Sequence, residues 1–89
     1  MSIQQYAEKE MLRMKTVFEV VKIKDAANKQ ANDFHSFANN YFQDALYFYK
    51  EKKYEESFEA FIISWAYIDI GLKLDLFTVP EEHKKWFTA

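Results

Sequence analysis

Apolar residues recur along this chain at steps of three and four, the period of an α-helix and not of a strand. Placed at ~100° per residue, Ile3, Ala7, Met11, Met14, Phe18 and Val21 fall in one stripe with Val17 beside it. Gln5, Glu8, Lys9, Lys15 and Glu19 take the opposite side, which predicts an amphipathic helix over about residues 3–24. Leu12 and Ile23 lie on its polar side as isolated exposed aliphatics and are given no role. Residues 25–32 lack large apolar side chains and read as a connection. Asn32 or Asp33 then stands where a short side-chain oxygen caps the free N–H groups of a new helix, a start one turn earlier being the alternative.

The second helix is predicted over about residues 33–52. Its stripe is Phe34, Phe37, Ala38, Tyr41, Ala45 and Phe48, widened by Phe42 and Tyr49, an arc broad enough to touch two neighbours. Lys52, Lys53 and Tyr54 mark a tight turn without glycine, so helices two and three are expected to be antiparallel. The third helix, about residues 54–74, carries two ridges. One is Tyr54, Phe58, Phe61, Trp65, Ile68 and Leu72; the other is Ile63, Tyr67, Ile70 and Leu74. Ser57, Ala60, Ser64 and Gly71 lie between them, small enough to admit another backbone, and only Glu55, Glu59, Asp69 and Lys73 form a solvent-facing strip. This helix is expected to be the most buried. Thr78 with Glu81 has the spacing of a capping box and Pro80 suits a first turn, so a short fourth helix over 79–87 is expected to dock Trp86 and Phe87. The alternative is a frayed tail.

The predicted class is therefore all-α: a three-helix up-and-down antiparallel bundle with a short C-terminal fourth helix, one domain over residues 1–89. Composition agrees, because 49% of the residues are apolar, 19% are aromatic, and the chain has one Gly and one Pro. No cysteine is present to staple so short a chain, so the core must be dense. The longest apolar run, Ala60–Ile68, is broken by Ser64 and is far below the ~20 residues of a membrane span. The first ten residues have no signal-peptide core, and a cytoplasmic protein is expected. A net charge of −2 gives no strong pull toward nucleic acid or an anionic membrane.

Chemistry-bearing patterns are sparse. A di-metal bundle uses inward Glu-x-x-His pairs, but Asn32 stands three residues before His35 and Pro80 three before His83, so no metal is expected. Both histidines read as surface residues. The serines lack nucleophile-elbow glycines, and Gly71 alone cannot build a phosphate loop. A helical ribonuclease of the HEPN class has an Arg followed shortly by His, and Arg13 has no such neighbour. No catalytic residue and no cofactor is assigned. Lys50, Lys52, Lys53, Lys84 and Lys85 are diluted by Glu51, Glu55, Glu56, Glu81 and Glu82, a solvated pattern more than a nucleic-acid footprint. Tyr47, among Ser36, Asn40, Gln43 and Lys50, is either a lone exposed tyrosine or a partner contact. Asp69 either pairs with Lys73 one turn on, or is a half-buried carboxylate bonded to a Tyr or a chain end.

The runs Tyr41-Phe42-Gln43-Asp44-Ala45-Leu46-Tyr47-Phe48, Lys53-Tyr54 and Ala66–Phe77 resemble a small archaeal family known as a domain of unknown function, DUF 357. The family pattern over the last run is aromatic-apolar-Asp-x-Gly-x-basic-Leu-x-Leu-Phe, matched at Tyr67, Ile68, Asp69, Gly71, Lys73, Leu74, Leu76 and Phe77. Asp75 departs from the family's helix-ending glycine, so the helix is expected to end differently or to run on. The resemblance implies a three-helix up-and-down bundle in an archaeal cytosol and carries no catalytic residue. Ala45, Tyr49, Lys53-Tyr54 and Phe58 also have something of a tetratricopeptide hairpin, although only one hairpin is present. Two functional expectations follow. The first is a non-enzymatic interaction module, binding a protein partner or itself as a homodimer, with Ile63, Tyr67, Ile70 and Leu74 meeting the tail or a second subunit. The second is a helical ligand-binding or catalytic domain using Asp69 and nearby tyrosines.

Overall fold

A computed structural model describes residues 1–88. The first helix, α1 (Ile3–Val20), opens on a reciprocal cap: the Gln5 N–H donates to the Ser2 hydroxyl at 3.2 Å, and the Ser2 N–H donates to the Gln5 side chain at 2.8 Å. It ends short of the predicted residue 24 because the β-branched run Val20, Val21, Ile23 turns to extended backbone. Lys22–Ile23 become strand β1, paired antiparallel with β2 (Phe77–Thr78), Lys22 opposite Thr78 and Ile23 opposite Phe77. Ile23 therefore has a place: it is half-buried and packs against the core.

Helix α2 (Lys29–Lys50) starts before the expected residue 33, and its cap is Asn28, whose side-chain oxygen accepts from the Ala31 N–H at 3.0 Å. Asn32 instead donates its amide back to the Ala26 and Asn28 carbonyls. The start was obscured because the first buried residue is a small one, Ala31. Helix α3 (Tyr54–Lys73) follows after three residues. Both α2 and α3 end in the same way, with a non-glycine residue in the left-handed region: Lys52 at φ 61° and Asp75 at φ 64°. In each, two orphan carbonyls are satisfied, by Lys53 N–H to Phe48 and Lys52 N–H to Tyr49, and by Leu76 N–H to Gly71 and Asp75 N–H to Leu72. Asp75 thus ends α3 itself, in the left-handed conformation, and its carboxylate pairs with Lys24 beside β1. The predicted fourth helix, 79–87, is a 3-10 turn over Glu81–Trp86. Thr78 cannot cap it, because Thr78 is held in β2 against Lys22.

The chain directions follow from these contacts. Tyr6 near the start of α1 meets Phe58 near the start of α3, and the strand after α1 pairs with the strand after α3, so these helices run the same way. α2 runs against both. α3 is central: it packs along α1 and α2, which meet each other through the ring of Phe18 against His35 and Phe42. It also contributes the most buried positions: Ser57, Ala60, Phe61, Ser64, Ile68 and Gly71.

Small residues build the α2–α3 seam. The Ser57 hydroxyl donates to the Ala45 carbonyl at 2.8 Å and the Ser64 hydroxyl to the Ala38 carbonyl at 2.7 Å. The same seven-residue step leads on to buried Ala31 and Gly71. At Gly71 the room is taken by a ring: a Cβ there would lie 2.2 Å from Phe77 Cε2. Phe77 thereby plugs the end of the seam and, with Phe61, Ile68, Met14 and Val17, forms the fully buried centre.

Candidate functional site

Because alanines draw α2 close to α3, α2 is rotated from its predicted orientation. Ala31, Ala38, Phe42 and Ala45 face inward. Phe37, expected in the core stripe, is 46% exposed, and Tyr41 is also exposed. These two rings stand with Phe34 around Tyr67 of α3. Centroid separations to Tyr67 are 5.6 Å from Phe34, 5.6 Å from Phe37 and 6.0 Å from Tyr41, the last pair stacked. Tyr67 is therefore half-buried by the chain's own aromatics. The rest of its ridge is not covered in this way: Ile70 is 49% exposed, Leu74 is 50% exposed and Ile63 is half-buried.

Ile63 and Glu59 stand on a crest with a hollow on either side. Toward α2 a cleft of about 190 Å³ is walled by Tyr41 and Phe48, with Asp44 and Glu56 at its mouth. Toward α1 a wider, shallower groove of about 390 Å³ is lined by Ile3, Phe58 and Ile62, with Glu55 at its edge. The outward side of α3 is thus a ridge between two apolar hollows, with carboxylates at its N-terminal end and Lys73 in its last turn. Such a surface can bury apolar area against another protein, through exposed Ile70 and Leu74 and the hollows beside Ile63.

The tail is not what lies on this ridge. It docks on the other flank of α3, where the Trp65 indole N–H donates to the Trp86 carbonyl at 2.8 Å and the Trp65 and Phe87 rings stack 6.0 Å apart. Asp69 accepts from the Thr88 N–H at 2.8 Å and the Thr88 hydroxyl at 2.6 Å, so it holds the tail, and Lys73 is exposed. Tyr47 is 57% exposed on another side of α2, with its ring edge on Phe48, apart from the ridge.

Neither histidine is a plain surface residue. His35 is half-buried between the ring of Phe18 and that of Phe77, and His83 lies against Trp86 at 4.8 Å. Buried Glu10, which sits among the apolar positions of α1, pairs with Arg13. Lys29 is held above its ordinary pKa by its hydrogen bond to Asp33 and that group's charge, an exposed pair at the start of α2. Among the described residues no group of three or more His, Asp or Glu is placed to hold a metal ion, and no helix is long and apolar enough to cross a membrane.

Helical period alone does not reveal that Phe37 and Tyr41 point outward or that Glu10 is buried. The heptad-spaced alanines 31, 38 and 45, facing Ser57, Ser64 and Gly71, carried the missing signal. Small residues in register on two antiparallel helices fix which faces meet.

The family model described as "Protein of unknown function (DUF357)" matches residues 5–77, most of the chain, and the chain belongs to that family. The tail that docks on Trp65 lies beyond the matched residues. Among solved structures, protein AF1782 from Archaeoglobus fulgidus, of the same family, superposes with a TM-score of 0.74 at 18% sequence identity. The match covers 88% of this chain and 93% of that one, and it shows the shared fold. No curated protein matches the chain.

Proposed function

We propose that this member of the DUF357 family is a non-enzymatic protein-interaction module that engages its partner through the outer ridge of α3. One observation carries the reading: Ile63, Ile70 and Leu74 run in line on a central helix whose other flanks are taken by α2, α1 and the tail. Exposed Phe37 and Tyr41 widen the line, and aromatic side chains are enriched where proteins meet. The competing expectation, a ligand-binding or catalytic site at Asp69, loses its motive. That carboxylate holds the chain's own Thr88, an arrangement that serves to fasten the tail. The proposal extends to an archaeal, cytoplasmic setting, supported by the archaeal family relative and a cysteine-free composition.

Immobilised wild-type chain and an Ile70→Lys, Leu74→Lys double variant, exposed to extract of the source organism, test the reading. The wild type is expected to retain a defined protein, the chain itself included, that the variant releases. Identical retention by both chains would refute the interaction face.

A further inference from the structure

The order of residues along the exposed strip of α3 is symmetric about Ala66. Four positions away on either side stand Ile62 and Ile70, and seven positions away stand Glu59 and Lys73. Steps of four and seven keep to one face of a helix, so these five residues form one line of about 21 Å between the two charges, at ~1.5 Å per residue. The pattern is small at its centre, aliphatic on both shoulders and of opposite charge at its ends. Glu59, Ile70 and Lys73 are exposed, and Ile62 and Ala66 are half-buried. Among the described residues neither Glu59 nor Lys73 belongs to an ion pair.

We infer that the occupant of this ridge is a second copy of the chain, docked by a two-fold axis at Ala66 that lays α3 antiparallel on its counterpart. The inference rests on the interaction reading above and names its partner. A two-fold contact is self-complementary, so residue i meets j and j meets i. Antiparallel alignment about Ala66 sets Ile62 against the second copy's Ile70, and Glu59 against its Lys73, twice over. Parallel alignment sets Glu59 on Glu59 and Lys73 on Lys73, and is opposed by like charges. Ala66 at the axis lets the two backbones approach closely. The hollows beside the Glu59–Ile63 crest then receive the second copy's Ile70 and Leu74, as a knob fits a hole in a coiled coil. Charge complementarity therefore sets the orientation, and the apolar shoulders supply the buried area.

Charge reversal tests this directly by sedimentation equilibrium from about 1 μM to about 1 mM chain, the span of weak, transient association. The wild type is expected to dimerise. Glu59→Lys alone and Lys73→Glu alone are each expected to raise the dimer dissociation constant by about tenfold or more, through like charges set face to face. Mixed in equal amounts, the two variants are expected to regain wild-type association, because every end pair is then opposite in sign. Glu59→Lys with Lys73→Glu in one chain is expected to do the same. An introduced Ala66→Cys, unique in a chain without cysteine, is expected to be bridged by a short bismaleimide. A chain that stays monomeric throughout would overturn the second-copy inference and leave the capture experiment to decide the interaction reading. A dimer indifferent to both reversals would overturn the two-fold geometry.

Discussion

The two sides of α3 use similar spacings for opposite ends. On the inner side Ser57, Ser64 and Gly71 recur every seven residues, each leaving room for a neighbour inside the molecule: the Ala45 carbonyl, the Ala38 carbonyl and the Phe77 ring. On the outer side Glu59, Ala66 and Lys73 recur at the same step, with Ile62 and Ile70 between them and solvent beyond. The inner residues are small and satisfied within the chain; the outer residues are aliphatic or charged and are not. If the proposed association holds, one helix separates the requirements of folding from those of docking. Substitutions on its two sides are expected to move different observables.

The largest effect belongs to the inner side. Phe77→Ala empties the plug at the end of the seam and is expected to destabilise the fold by about 3–5 kcal/mol in chemical denaturation, with association lost only as the chain unfolds. Gly71→Ala is next. Alanine favours a helix by ~1 kcal/mol, but its methyl would overlap the buried Phe77 ring, so a net loss of about 1–3 kcal/mol is expected. A gain in stability would show that the seam yields easily and that the contrast between the two sides is weaker than drawn. Ser64→Ala removes a buried hydrogen bond to a carbonyl already used in α2, at an expected cost of about 1 kcal/mol.

At the helix ends, Lys52→Gly is expected to stabilise by about 1 kcal/mol, because it relieves a left-handed residue without removing any ion pair. A thermal melt reads it directly. Asp75→Gly is expected to gain less, since it also removes the exposed pair with Lys24, worth at most about 1 kcal/mol. Smallest in stability is Ile70→Lys, within about 0.5 kcal/mol of wild type, although it puts a charge in the middle of the outer ridge.

The helices were legible in the sequence because stripes of Met14, Val17, Phe61 and Ile68 repeat with helical period whatever they pack against. The central place of α3 was also legible, in its two ridges and intervening small residues. The strand pair was not, because two-residue strands have no period, and Ile23 takes its meaning only from Phe77 far along the chain. The start of α2 was hidden since alanine at position 31 looks like connection until its burial is seen. Of the candidate surface, Ile63, Ile70 and Leu74 were read as a ridge of helix three; in the structure Ile70 and Leu74 are exposed and Ile63 is half-buried. Tyr67 proved to be flanked by α2, and the tail proved to lie on the Trp65 side. The alanine seam decided the first, by letting α2 approach closely, whereas the Trp65–Phe87 stack and the Asp69–Thr88 hydrogen bonds hold the second.

Sedimentation velocity of the wild-type and Ile70→Lys chains, over the same concentration range and beside matched thermal melts, tests the separation of the two sides most directly. A reversible wild-type dimer, a variant that remains monomeric, and coincident melting temperatures at dilution are expected. A variant that associates as the wild type does, or one that loses association only by losing its fold, would contradict that separation.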